Sequence, residues 1–179
     1  MSTSLKIHHI IEHSTVNGPG NRFVVWTQGC PFHCDGCFNQ PTHSQTGGFD
    51  RDINQLAAQI SQTTNIRGIT LTGGEPLEQT EQISQLLSLI RKDLDILLFS
   101  GYTFDEIKQD KAKIQILHQV DAALLGRYNK TFKHPFYGKK LVIHGSRIDK
   151  SELHPWLKTE IIVQDNTISV TGLFKQLEN

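Results

Sequence analysis

The sequence predicts an α/β fold in which mostly parallel strands form an open partial (βα) barrel. Short apolar runs alternate along the chain with stretches whose apolar residues recur at helical spacing, a pattern typical of a parallel sheet covered by helices. The chain has 179 residues, whereas a closed eight-stranded (βα) barrel usually takes about 250 residues. We therefore expect the sheet to stay open on one side and residues 1–179 to form a single domain.

The elements follow from local patterns, taken in chain order. Turn-forming residues 17–20 precede the first element, and apolar runs predict strands at 23–26, 69–72, 96–99 and 122–125. Apolar residues at i, i+3, i+4 and i+7 predict helices over 52–63 and 80–91. Thr103 and Glu106 have the spacing of a capping box and open a short helix, and a further helical stretch lies around 114–120.

The carboxyl-terminal part of the chain has a different pattern. Residues 141–143, 161–163 and 168–170 favour strands, but no strong helix separates the last two. Asp165 and Asn166 form a turn between them, which predicts an antiparallel hairpin at the sheet edge. The polar, aromatic and basic segment 127–140 is expected to be a surface loop.

The composition excludes several classes of protein. Lys plus Arg and Asp plus Glu each number 18, so the formal net charge is zero with neutral His. Proteins that bind nucleic acid or membrane surfaces usually carry a basic excess, which argues against both kinds of partner. No apolar run approaches the roughly 18 residues of a membrane span, and the amino terminus lacks the apolar stretch of a signal peptide. We therefore expect a cytoplasmic protein.

All three cysteines lie in one segment directly after the first predicted strand. The spacing Cys30-x3-Cys34-x2-Cys37 is a poor disulfide framework and indicates a metal site. Thiolates suit both zinc and iron–sulfur clusters. Structural zinc needs a fourth protein ligand, for which His33 and His43 are candidates. A four-iron cluster on three thiolates would leave one iron open, and an open iron favours chemistry over a structural role.

The cysteine spacing resembles the signature of the radical S-adenosylmethionine (SAM) enzymes, and further motifs extend this resemblance over nearly the whole chain. It is strongest to the small activases that install a glycyl radical, above all those of anaerobic ribonucleotide reductases. The motifs that carry it are Asn17-Gly18-Pro19-Gly20 with Arg22, Gln28-Gly29-Cys30, Cys37-Phe38-Asn39, Thr72-Gly73-Gly74-Glu75-Pro76, Ser100-Gly101-Tyr102-Thr103 and Thr171-Gly172-Leu173-Phe174.

The resemblance implies a radical SAM fold, a [4Fe-4S] cluster held by Cys30, Cys34 and Cys37, and SAM as cosubstrate. It implies that Glu75 receives the amino group of the methionine moiety and that Ser100 lies beside the ribose. A reduced flavodoxin or ferredoxin would supply the electron, and the partner would be a glycyl-radical enzyme, expected to be the large subunit of anaerobic ribonucleotide reductase. The implied cosubstrate-binding residues are Gly36, Phe38, Gly73, Gly74, Glu75, Pro76 and Ser100.

The chain departs from the family pattern at three places. Gly36 precedes the third cysteine, where many members carry an aromatic residue. Leu125 stands where an acid is usual, and a run expected before residue 150 is shortened to Gly145–Asp149. We expect these last two changes to face the target protein or the far side of the cosubstrate, with docking around 127–149. Arg127 is a candidate for the cosubstrate carboxylate, and His33 for the cluster or its pocket.

Two other functions are compatible with the sequence. The radical chemistry could act directly on a peptide or a small molecule, which the departures at Leu125 and Gly145–Asp149 leave open. A zinc-stabilised binding module without catalysis is the alternative from another class. Histidines 8, 9 and 13 precede the first predicted strand and are expected to be surface or packing residues. Trp26 and Trp156 are expected in the core.

Overall fold

Alternating strands and helices build one main sheet and a separate hairpin in a computed structural model that describes residues 3–132, 136–153, 159–164 and 167–172. The helices are α1 (Ile53–Gln62), α2 (Thr80–Leu89), α3 (Phe104–Lys108) and α4 (Lys111–Gln119). The strands are β1 (Ser4–Ser14), β2 (Arg22–Thr27), β3 (Phe49–Asp52), β4 (Gly68–Gly73), β5 (Asp95–Ser100), β6 (Ala122–Leu125), β7 (Lys140–Ile143), β8 (Thr159–Gln164) and β9 (Thr167–Gly172).

The main sheet has seven strands in the order β3-β1-β2-β4-β5-β6-β7. Strands β2, β4, β5 and β6 pair in parallel, while β1 and β7 run antiparallel at the two flanks of this parallel unit. Within the described residues β3 and β7 do not pair with one another, so the barrel is open. This confirms the predicted open partial (βα) barrel with a mostly parallel core.

The predicted helices and parallel strands are all present. Helix α1 buries the expected face, and the Asp52 carboxylate caps it by accepting a hydrogen bond from the Gln55 amide. Helix α3 begins with the predicted capping box between Thr103 and Glu106. Helices α1, α2 and α4 pack on one face of the sheet, against a continuous core that includes Phe23, Val25, Ile69, Leu71 and Leu98.

Two strands do not follow from the sequence pattern. The segment that contains histidines 8, 9 and 13 forms β1, and the short strand β3 pairs with its outer edge. Strand β1 carries one extra residue between Ile7 and His9, because these two lie opposite the consecutive residues Thr27 and Trp26. Such a bulge switches the faces of a strand. Ile7 accordingly joins the helix-covered core, whereas Ile11 packs with Trp26 on the other face.

The predicted carboxyl-terminal hairpin exists, but its predicted position is wrong. Strands β8 and β9 form their own two-stranded sheet and do not extend the edge of the main sheet. Ile162 packs against Ile11, Val24 and Trp26, so the hairpin covers the face that the helices leave open. The apolar side chains on that face are buried when the hairpin packs over them. A hairpin paired with an edge strand would leave them uncovered. Trp156 lies outside the described residues, whereas Trp26 is buried as expected.

Ion pairs tie the amino ends of the parallel strands together. The Arg22 guanidinium is fully buried and lies 2.6 Å from the Asp95 carboxylate at the start of β5. Arg67 joins Asp95 to Glu152, and Arg147 pairs with Asp121 just before β6. These contacts stabilise the end of the barrel opposite the site described below.

Candidate cofactor site

The carboxyl ends of four parallel strands meet at a cavity of about 520 Å³. The cysteine segment follows β2, the Gly74-Glu75-Pro76 turn follows β4, Ser100 ends β5, and Gly126 follows β6. In open parallel sheets, ligands bind at this end of the strands. The topology therefore brings together segments that are far apart in sequence.

The three thiols all border this cavity, as does the aromatic ring of Phe38. Of the other predicted cosubstrate residues, Gly73, Gly74, Glu75 and Ser100 also line it. Gly36 and Pro76 do not. Gly36 has a left-handed φ of +69° and lies beside the Lys130 side chain, while Pro76 is buried at the start of a 3₁₀ turn.

The cysteine loop is anchored through its backbone. The amide of Gly29 donates to the Thr42 carbonyl oxygen at 2.8 Å, and the amide of Cys30 donates to the His43 carbonyl oxygen at 3.1 Å. His33 has a φ of +44° and packs at 5.4 Å against His43. His43 lines the cavity and His33 does not. The structure therefore does not bring His33 to the pocket.

The chemistry of the sulfur atoms fits a thiolate-bound cluster. All three thiols are free, and burial raises the pKa of Cys30 and of Cys37. The Glu75 carboxylate and the neighbouring thiols raise the pKa of Cys30 further. A bound cationic centre would reverse these effects, because metals bind the deprotonated thiolate. In the described part of the chain no three side chains are already close enough to hold a single metal ion.

The Glu75 carboxylate is fully buried and accepts three hydrogen bonds. Its Oε1 accepts from the Ser100 hydroxyl at 2.8 Å and from the Leu77 amide at 2.9 Å. Its Oε2 accepts from the Gly101 amide at 2.6 Å. Burial nevertheless raises the pKa of Glu75 to about 7, since the hydrogen bonds offset only part of the desolvation. A buried carboxylate without a direct ion pair in the described part of the chain favours a cationic partner.

The two glycines before Glu75 allow the cysteine loop to approach closely. Gly73 has a φ of +102°, and a Cβ at Gly74 would lie 2.3 Å from the Gly29 carbonyl oxygen. The amide of Glu75 donates to that same oxygen at 2.8 Å. The turn that carries the glutamate is thus packed directly on the start of the cysteine loop, a contact that only glycine permits.

Several cavity residues were not predicted from the sequence. The bulge in β1 places both His8 and His9 on the wall, and Asn17, Thr171 and Lys139 contribute further polar groups. The Asn17 amide donates to the Thr171 hydroxyl at 2.9 Å, so the hairpin closes one side. Alternating apolar positions at Leu5 and Ile7 were the available signal for β1. Nothing in the sequence signals the position of Lys139.

Arg127 does not occupy the position expected for it. Its guanidinium pairs with the Glu106 carboxylate at 2.7 Å and stacks 3.7 Å from the centre of the Phe32 ring. The Phe32 ring lies against Gly101, whose amide holds Glu75. Arg127 is not among the residues that line the cavity. From outside the cavity it packs on Phe32 and so stabilises the cysteine loop.

The shortened run Gly145–Asp149 also lies elsewhere than expected. Strand β7 runs away from the cavity, from Lys140 opposite Leu125 to Ile143 opposite Ala122. The Arg147 side chain then bonds to Asp121 and to the carbonyl oxygen of Leu94, at the amino ends of the strands. This run therefore cannot take part in docking at the cavity, because it lies at the opposite end of the sheet.

Comparisons with known proteins show which proteins this chain resembles. The family model of a 4Fe-4S single cluster domain matches residues 16–149. The anaerobic ribonucleoside-triphosphate reductase-activating protein of Enterobacteria phage T4 is 39% identical over 123 residues, which cover 64% of this chain and 76% of that protein. The protein of the same name from Pasteurella multocida is 33% identical over 125 residues, covering 64% and 78%. QueE from Escherichia coli superposes with a TM-score of 0.45 and 16% identity, over 57% of this chain and 55% of that one.

Proposed function

Because the chain belongs to the family of anaerobic ribonucleoside-triphosphate reductase-activating proteins and carries a 4Fe-4S single cluster domain, we propose that it installs a glycyl radical on the large subunit of an anaerobic ribonucleotide reductase. It is a radical SAM enzyme and uses a [4Fe-4S] cluster with SAM. When bound, the cluster supplies one electron that splits the sulfonium of SAM into methionine and a 5′-deoxyadenosyl radical. The role of the chain's own residues is to bind and orient the reactants and to shield them from solvent.

We assign the cluster to Cys30, Cys34 and Cys37. The observation that supports this most directly is that three free thiols border one cavity beside a buried carboxylate. Three soft donors fit a four-iron cluster with one iron left for the cosubstrate. The Gly74–Gly29 contact fixes the distance between the cysteine loop and the Glu75 turn before any ligand binds.

We assign the amino group of SAM to Glu75. Its hydrogen bonds from Ser100, Leu77 and Gly101 hold the carboxylate in one orientation, so little reorganisation is needed when a cation arrives. Gly73, Gly74, Phe38 and Ser100 surround the same space and supply its remaining wall. Gly36 and Pro76 lie outside this wall. Gly36 provides a left-handed backbone conformation in the cysteine loop, and Pro76 begins the 3₁₀ turn that follows Glu75. None of these residues is required as a general acid or base.

The open barrel suits a protein substrate. A partner must bring a glycine-bearing loop close to the cosubstrate, and Phe38 and Tyr128, which line the cavity and are partly exposed, are available for this contact. We propose a reduced flavodoxin or ferredoxin as the electron donor. We also place the reaction in the cytoplasm, where three clustered free thiols remain reduced. Among the described helices, none has the length and apolar content that a membrane span needs.

The decisive experiment uses the reductase itself. The anaerobically reconstituted chain is mixed with SAM, a reductant and the reductase large subunit from the same genome. We expect a glycyl doublet by electron paramagnetic resonance (EPR) together with 5′-deoxyadenosine and methionine. Cys34→Ala, which removes one of the three thiols, is the negative control and is expected to lack the cluster. Cleavage of SAM without any radical on the large subunit would overturn the assignment of the target.

A further inference from the structure

The described lining of the cavity includes one carboxylate side chain and one ammonium side chain. Among the described residues that line it, Glu75 is the only Asp or Glu, and Lys139 is the only Lys or Arg. The cavity also holds the three thiols and several neutral polar groups. A pocket that offers one carboxylate and one ammonium is complementary to a ligand that carries both an ammonium and a carboxylate.

A chain of hydrogen bonds across three strand ends fixes the two charges. The Ser100 hydroxyl donates to Glu75, and the Ser100 carbonyl oxygen accepts from the Gly126 amide at 3.0 Å. The Gly126 carbonyl oxygen in turn accepts from the Lys139 ammonium. Lys139 immediately precedes β7, whose pairing with β6 sets its position. The ammonium is therefore held in a fixed position at the carboxyl end of the sheet.

The neighbouring cations are engaged elsewhere. Arg127 is paired with Glu106 and stacked on Phe32. Lys130 is paired with Asp35, and the Lys140 ammonium lies 3.8 Å from the centre of the Phe104 ring. None of these three lines the cavity. Among the Lys and Arg side chains that the structure describes, Lys139 is therefore the one that lines the cavity and can reach a ligand bound at Glu75.

We propose that Lys139 binds the carboxylate of the amino acid moiety of SAM while Glu75 binds its amino group. This inference rests on the proposed function, since it concerns the same cosubstrate. The Lys139 ammonium has three N–H donors, and the Gly126 carbonyl oxygen takes one of them. A charged hydrogen bond in a half-buried site is stronger than one on the surface. Lys139 thus makes the pocket selective for an intact amino acid head group.

The test pairs a lysine variant with a change in the ligand. SAM and decarboxylated SAM, which lacks the carboxylate, are titrated into the cluster-loaded protein under anaerobic conditions, and dissociation constants are measured by calorimetry. The preference of the wild type for SAM should fall about tenfold in Lys139→Met, since one charged hydrogen bond is lost. Affinity for decarboxylated SAM should not change. Lys140→Met, the adjacent lysine outside the cavity, should keep the full preference, and Lys139→Arg should keep part of it.

The outcomes separate the two proposals. Iron and sulfide contents and the cluster absorbance are first compared across all variants. Equal weakening of both ligands in Lys139→Met, or an unchanged preference for SAM, would show that Lys139 does not bind the carboxylate, while the proposed function would stand. Failure of the cluster-loaded wild type to bind either ligand would overturn the proposed function and the role of Lys139 with it.

Discussion

The hydroxyl of Ser100 at the end of β5 donates a 2.8 Å hydrogen bond to the carboxylate of Glu75 after β4. This bond lowers the pKa of Glu75, against the larger effect of burial. It joins two motifs that are 25 residues apart in the chain. The charge of Glu75, and with it the affinity for a cationic ligand, therefore depends on a neighbouring strand.

The affinity for SAM should fall as the pH drops below about 7. Glu75 has its pKa raised to about 7, so it is charged above that pH and progressively neutral below it. An ammonium binds the charged form. Dissociation constants measured between pH 6 and 8.5 should show this fall, and Glu75→Gln should bind weakly at every pH in the range.

Ser100→Ala should move the midpoint of this pH profile upward. The variant removes a hydrogen bond that favours the charged carboxylate, so a higher pH is needed to ionise it. Ser88→Ala, whose exposed hydroxyl bonds only within α2, is the matched control and should leave the profile unchanged. An unshifted midpoint in Ser100→Ala would contradict the role of this hydrogen bond.

Gly74→Ala should fold but lose most of its cluster. The new Cβ would lie 2.3 Å from the Gly29 carbonyl oxygen, so the turn and the cysteine loop must separate. Gly145→Ala provides the comparison, because it has backbone strain at a φ of +75° but no atom within 4 Å of the new Cβ. Iron content after reconstitution should drop several-fold in the first variant only. Normal iron content in Gly74→Ala would show that the contact is not needed for assembly.

Asp95→Asn should destabilise the cluster-free protein by about 3 kcal/mol or more, because it leaves the fully buried Arg22 guanidinium without its counter-charge. Asp93→Asn removes an exposed carboxylate that lies 3.4 Å from Arg91, and should change the free energy of unfolding by less than about 1 kcal/mol. Urea unfolding monitored by circular dichroism measures both. Similar losses of unfolding free energy in the two variants would show that burial does not make the Arg22–Asp95 pair more important than an exposed pair.

Arg127→Met should shorten the lifetime of the cluster without changing the preference for SAM over decarboxylated SAM. The variant removes the guanidinium that stacks on Phe32 and pairs with Glu106, so the cysteine loop loses an outer support. Loss of cluster absorbance in the presence of a chelator should be several-fold faster than in the wild type. Lys130→Met, which removes an exposed pair with Asp35, is the control. A reduced preference for SAM in Arg127→Met would instead support carboxylate binding by Arg127.

The sequence predicted the parallel strands because each is a short apolar run buried on both faces. Residues 69–72 and 96–99 are examples, and neither can be mistaken for a surface segment. Strand β1 was missed because its histidines and its bulge interrupt the alternation that Leu5 and Ile7 begin. The hairpin was found but misplaced, since the choice between an edge and a face depends on contacts such as that of Ile162 with Trp26.

The candidate site was predictable where a motif carries it. The thiols and Glu75 come together because the carboxyl ends of parallel strands lie side by side. Lys139 could not be found in this way, because in sequence it is one lysine of a basic segment that resembles a solvated loop. The pairing of Arg127 was not predictable for a related reason, because its partner Glu106 belongs to helix α3 and only the fold brings the two together.

The extra residue in β1 couples the two layers of the molecule mechanically. Before the bulge, Leu5 and Ile7 anchor the strand under the helices, and after it Ile11 anchors the same strand under the hairpin. Removing His8 would restore simple alternation and rotate one of these anchor sets by half a turn, away from its layer. A single deletion would thus remove the packing of β1 either on the helices or on the hairpin that forms one wall of the cavity. The number of residues in this strand is therefore as constrained as their identity.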